Sequence, residues 1–258
     1  MQRYFLEVSY KGTNYSGFQV QENAKTIQSE VATALETFYR RKFELTGSSR
    51  TDAGVHALQN FFHVDTDVRI NKDHLYNLNS ILPADIVLKA AYTVANTAHC
   101  RFDALAREYK YFIYNKKDPF LEDRAWYYPF VIDIDLLYRA AGIIKNTSDF
   151  TSFSKRNTQV NNFICTIHRS QWVQENDILV YHIKGNRFLR GMVRALVATM
   201  LKVARKNITI EKFQDIIAGQ HQSTADFSAP AHGLFLVSVN FPENLLKTRQ
   251  TTEAIGLL

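Results

Sequence analysis

The sequence predicts an α+β fold made of two halves with a β-α-β-β-α-β-like order. Two observations predict it: apolar residues alternate with period two in some segments and recur with period 3.6 in others, and the two patterns come in a similar order twice along the chain. Tyr4, Leu6, Val8 and Tyr10 alternate as a strand. Ile27, Val31, Ala34, Leu35 and Phe38 then share one face of a helix, followed by a strand near Phe61 to Asp65, a short helix around His74 to Ile81 and a strand near Ile86 to Tyr92. In the second half Tyr109, Tyr111 and Ile113 alternate in a strand, and Leu136, Leu137, Ala140, Ile143 and Ile144 mark a helix. Strands near Ile167 to Val173 and Leu179 to Lys184 lead to a long helix over Phe188 to Arg205, a shorter one over Glu211 to Ala218 and a last strand over Leu234 to Phe241.

Each half resembles the split unit of ferredoxin-like domains. The halves are placed at 1–100 and 101–245, with a junction around Asn96 to Leu105 that no glycine- or proline-rich linker marks, and with a polar tail over 246–258 expected to move unless it docks. At 258 residues, a chain that folds can bury roughly 70–75% of its unfolded surface, and 46% apolar content argues against disorder along most of it. Met1 to Tyr10 reads as a strand rather than a leader peptide, and the most apolar stretch, Phe188 to Ala204, is broken by Arg190, Arg194 and Lys202, so no membrane span is expected. Two distant cysteines, Cys100 and Cys165, suggest neither a disulfide framework nor a sulfur-rich zinc site, which points to the cytoplasm. A net charge of +6 and a pI of about 9.2 suit a polyanionic partner.

Three segments can carry chemistry. Gly47-Ser48-Ser49-Arg50-Thr51-Asp52-Ala53-Gly54-Val55-His56 is a polar loop between a helix and an apolar strand, with an Arg two residues before an Asp and glycines at its edges. It also fits a plain surface turn, where Asp is common. On the helix expected over Phe188 to Arg205, Phe188, Leu189, Met192, Val193, Leu196 and Met200 form an apolar stripe, while Arg187, Arg190, Arg194 and Arg205 fall within about 60° of one another. No acidic residue lies between Lys184 and Arg205, so this face lacks the opposite charges that a solvated surface usually mixes in; it suits phosphate or a carboxylate, or is merely solvated. Ala106 to Asn115 interleaves tyrosines with cations, a pattern that suits stacked single-stranded RNA and equally suits sheet packing.

Other chemistries lack their signatures. The sequence has no Gly-x-Ser-x-Gly elbow, no phosphate loop and no dinucleotide fingerprint, so no nucleotide cofactor is expected. The histidines form no His-x-x-x-His or His-x-Glu pattern, so a zinc deaminase is disfavoured, and His56 and His63 read as structural.

Together these segments resemble the tRNA pseudouridine synthase A family. Lys11 to Gln21 is similar to its opening signature and Arg50 to His56 to its catalytic loop. Ala106 to Asn115 resembles its tyrosine strand, Phe188 to Arg194 its basic helix, and Ala229 to Leu234 its closing motif. Five motifs in the right order over roughly Arg3 to Pro242 are more specific than any one of them. Phe18, where many members carry tryptophan, and Arg190-Gly191, where other polar pairs are common, depart from the pattern.

The resemblance implies a pseudouridine synthase fold, two ferredoxin-like halves joined through a central antiparallel sheet with helices on one side. It implies Asp52 as the catalytic carboxylate, Arg194 as its ion-pair partner, and Tyr109 stacking on the extruded base and assisting removal of the C5 proton. Arg50 would hold the RNA backbone or the vacated stack, Leu234 would pack beside the target base, and Arg187 and Arg190 would bind substrate. It further implies a homodimer acting without cofactor on uridines 38, 39 and 40 of the tRNA anticodon stem-loop. Two rivals remain: a non-catalytic RNA-binding protein of the same fold, and a metal-dependent nuclease using Asp52 and His56, which lacks a supporting acidic cluster.

Overall fold

The alternating residues at the start of the chain form β1 (Gln2–Tyr10), yet this strand is buried on both faces, with Phe5 and Glu7 buried as well as Leu6 and Val8. The reason is its central position. In the computed structural model, which describes residues 1–155, 162–221, 224–246 and 248–251, β1 pairs antiparallel with β3 (His56–Thr66) on one side and β4 (Ile86–Val94) on the other. Glu7 is tolerated there because Tyr92 Oη and Gln59 Nε2 donate to its carboxylate at 2.7 and 3.1 Å.

The chain forms two compact units, Met1–Leu105 with the segment from Leu236 onward, and Ala106–Phe235. In the first, α1 (Ile27–Tyr39) starts at a reciprocal cap in which Thr26 Oγ1 accepts from Ser29 N and Ser29 Oγ from Thr26 N. It ends where Arg40 turns left-handed at φ 58°, and it packs against α2 (Lys72–Ile81), which Asn71 caps. A two-residue strand, β2 (Thr46–Gly47), pairs with β3 and leads into the polar loop.

In the second unit β5 (Ala106–Tyr114) pairs with β8 (Ile178–Gly185), and β8 with β7 (Ile167–Glu175), all antiparallel. The short β6 (Trp126–Tyr127) runs parallel to β5, so the sheet is mixed rather than purely antiparallel. Asp133 caps α3 (Ile134–Lys145), which packs on β7 and on α4 (Met192–Ala204); α5 (Ile210–Ala218) packs on both helices. Every residue of α4 except Arg194 and Lys202 is buried, as expected of a core helix. The fold class is the α+β one that the sequence predicts.

Two departures matter. The helix expected from Phe188 begins only at Met192, because Gly191 sits at φ 73° and sends the chain into the helix from a turn. Arg187 and Arg190 therefore precede the helix, Arg205 caps its end, and the four-arginine helical face does not form; Arg194 alone of the four lies within α4. The C-terminal end also differs from a division by chain order. After β9 (Leu234–Asn240) starts in the second unit, Val239 N donates to Gln59 Oε1 at 3.1 Å, and the Phe241 ring packs on Phe5 and Phe61 in the first. Within the expected tail, β10 (Thr248–Thr251) pairs antiparallel with β4; residues 247 and 252–258 lie outside the described residues. Among the described residues no helix is long and apolar enough to cross a membrane.

Candidate active site

The loop that carries Asp52 is seated by buried polar groups rather than by apolar packing. Asn60, wholly buried in β3, places its amide under the loop: Oδ1 accepts from Ser48 Oγ at 2.7 Å, and Nδ2 donates to Ser49 O at 3.0 Å and Tyr10 Oη at 3.2 Å. Tyr10 Oη in turn lies 2.7 Å from Thr51 Oγ1. Ser48, Ser49 and, through Tyr10, Thr51 are thereby tied to Asn60, which fixes the backbone on both sides of Arg50. Arg50 is exposed and Asp52 half-buried, with Val55 N donating to Asp52 O at 3.2 Å to close the turn.

The opening segment holds the loop from the other side. Gly12 N donates to Nδ1 of the buried His56 at 3.0 Å, Phe18 N to Thr51 O at 3.1 Å and Gly54 N to Tyr15 O at 3.3 Å. The approach is so close that a Cβ on Gly12 would stand 2.0 Å from Val55 O. Lys11 to Gln21 and Arg50 to His56, whose starts lie 39 residues apart in the sequence, thus form one structural piece. Burial and the neighbouring Asp85, to which Tyr15 Oη donates, push the Tyr15 phenol well above its usual range, so Tyr15 stays a neutral donor.

In the second unit the cation and the closing motif meet. Arg194, half-buried on the first turn of α4, donates through Nε to Ala229 O at 2.7 Å. The next carbonyl, Pro230 O, accepts from Tyr111 Oη at 2.8 Å, and Gly233 lies against the same ring, where a Cβ would come within 2.7 Å. Leu234 follows, buried at the start of β9. Tyr109, half-buried on β5, stands edge-on to Phe188 with ring centroids 5.2 Å apart. Arg187 is half-buried and Arg190 exposed on the turn that precedes α4. Desolvation lowers the His232 imidazole below its usual range, so this part of the closing motif stays neutral near pH 7.

Comparison with known proteins shows the family to which the chain belongs. A sequence model of the tRNA pseudouridine synthase family matches residues 7–103 and 147–242, more than half of the chain. The chain belongs to the tRNA pseudouridine synthase family. Relatives that bear the name tRNA pseudouridine synthase A extend the likeness over nearly all of it. One from Parabacteroides distasonis is 41% identical over 248 residues, covering 95% of this chain and 98% of its own. One from Bacteroides thetaiotaomicron is 40% identical over 262 aligned positions, covering 100% and 97%, and one from Staphylococcus aureus 35% over 247, covering 95% and 94%. The family match takes in Arg50, Asp52, Arg187, Arg190, Arg194 and Leu234, while Tyr109 lies between the two matched segments.

Sequence reading missed the residues that seat the family's loop, above all Asn60, Tyr10 and Gly12. A signal existed for one of them: Asn60 directly precedes the apolar pair Phe61-Phe62, and an amide in a buried strand must find partners. His56 and His63 are both buried, and each accepts a main-chain N–H through Nδ1, from Gly12 at 3.0 Å and from Cys100 at 3.3 Å.

Proposed function

We propose that this protein isomerises uridine to pseudouridine in tRNA, with Asp52 as the catalytic carboxylate and no cofactor. The observation that carries the reading is the seating of Asp52. It stands half-buried in a turn whose flanks are tied to β3 and to the opening segment, as a group that must meet a reacting base in one geometry requires. A carboxylate can attack and later leave, which splits one hard step into easier ones. In the reaction the N1–C1′ bond breaks, the base turns and a C5–C1′ bond forms. C5 loses a proton and N1 gains one, so no atom is added or removed.

Each remaining residue takes the role that family resemblance gives it. Arg194 is the cation that orients Asp52 and keeps it charged. Tyr109 stacks on the extruded base and helps take the C5 proton, and Leu234 keeps water from the target base. Arg50 holds the RNA while the base is out of its stack, and Arg187 and Arg190 meet backbone phosphates. The substrate region is the anticodon stem-loop, with uridines 38, 39 and 40 as targets, and the enzyme acts as a cytoplasmic homodimer.

Tritium release from C5-labelled uridine in unmodified tRNA transcripts, with chelator present, tests the reading. Release accompanied by pseudouridine in the anticodon stem-loop is expected. No release despite tight, salt-sensitive tRNA binding would contradict it and leave a non-catalytic RNA-binding protein. Arg194→Ala should lower kcat about a hundredfold while changing tRNA affinity by less than about fivefold, and Arg194→Lys should do less harm because it keeps the charge without the fork. Unchanged turnover in Arg194→Ala would remove Arg194 from the chemistry.

A further inference from the structure

Beside Arg50 the first unit carries a groove of about 240 Å³ whose walls include Phe18, Gln28, Arg50, His99, Arg101 and Phe102. Among the described residues no acidic side chain lines it. Phe102 is 74% exposed, an unusual setting for a large apolar ring, and Arg101 is also exposed with its guanidinium 5.7 Å from the centre of that ring.

The turn that presents these two side chains is built, not loose. His99 Nδ1 accepts from the main-chain N–H groups of both Arg101 and Phe102, at 3.1 and 3.3 Å, while His99 N donates to Asp103 Oδ2 at 2.8 Å. The His99 ring lies 4.2 Å from the Phe102 ring on one side and meets His63 edge-on at 4.6 Å on the other. Beneath it, the buried Cys100 donates through N to His63 Nδ1 at 3.3 Å and through Sγ to Thr46 O at 3.1 Å. Thr46 and Gly47 lead directly into the loop of Arg50 and Asp52, so the turn and the loop hang from the same short strand. Holding an exposed ring and an adjacent cation rigidly in this way lowers the entropy cost of binding something flat and anionic.

We infer that the His99–Asp103 turn is a second RNA-contact element, in which Phe102 stacks on a base of the tRNA substrate while Arg101 and Arg50 hold the adjoining phosphates. This rests on the proposed tRNA substrate and adds a nucleotide subsite outside the reacting uridine's own pocket. A ring with a neighbouring guanidinium suits a base and its phosphate together.

The test compares the wild type with Phe102→Ala, Phe102→Tyr and Arg101→Ala, using an unmodified tRNA transcript for both titration against salt and tritium release. Phe102→Ala should weaken binding and raise KM about tenfold with kcat changed less than about twofold, and Phe102→Tyr should restore both. Arg101→Ala should lower the slope of log affinity against log salt by about one. An active wild type whose affinity, KM and salt slope all survive these substitutions would overturn the inference. So would loss of self-association at constant RNA affinity, which would give the turn to a second copy of the chain. A wild type that binds tRNA in a Phe102-dependent manner but releases no tritium would support the subsite while refuting the proposed isomerisation.

Discussion

The loop around Asp52 and the segment around Arg194 bring charged groups forward by opposite means. The loop has almost no apolar anchorage of its own and depends on Asn60, Tyr10 and Thr51, buried polar groups linked by hydrogen bonds through Tyr10 Oη, and on the buried His56, which accepts from Gly12 N. The Arg194 segment depends on apolar burial: α4 is covered all round and offers Arg194 at its first turn as one of its two residues that are not buried. A polar seat fixes direction because hydrogen bonds are directional, whereas a greasy helix fixes position along its axis and tolerates adjustment. The difference teaches where each site is vulnerable.

Gly12→Ala should do the most damage, because its Cβ would collide with main-chain atoms of Val55 that no rotamer change can clear. We expect a loss on the order of 4 kcal/mol by denaturant titration, with the loop unseated; near-native stability would show that the two motifs are not locked together. Asn60→Ala should come next, at about 3 kcal/mol, since it removes the three hydrogen bonds that the amide makes to Ser48 Oγ, Ser49 O and Tyr10 Oη in a dry setting. A cost under about 1 kcal/mol would mean that water replaces the amide and that the seat is looser than described. Gly191→Ala should be the mildest, about 1 kcal/mol for the left-handed φ of 73°, because its nearest neighbours are the flexible end of Lys155 and the Phe227 ring. A cost like that of Gly12→Ala would erase the contrast between the two regions.

The same contrast explains what could be read from sequence. Strands and helices were legible wherever a pattern ran long enough: the periodicities at Ile27 to Phe38 and Leu136 to Ile144 became α1 and α3. The start of α4 was not, because Phe188 and Leu189 continue the apolar rhythm while the break depends on the backbone of Gly191, whose positive φ has no hydropathy signal. β2 and β6 are two residues each, too short for any period to show, and the return of Leu236 onward to the first unit is a matter of tertiary pairing. In the candidate site, Arg50 and Asp52 were visible because polar residues with glycines stand out between a helix and a strand. The groups that seat them were invisible because an Asn in a strand does not say which loop it faces.

The most direct test of the central claim compares Asp52→Asn with the wild type in tritium release and tRNA binding under identical salt. The substitution keeps size and much of the hydrogen bonding but removes the nucleophilic carboxylate. The account predicts release lowered by more than about a thousandfold with tRNA affinity kept or improved. Release within about tenfold of the wild type, with affinity unchanged, would contradict it and show that a different group carries the reaction.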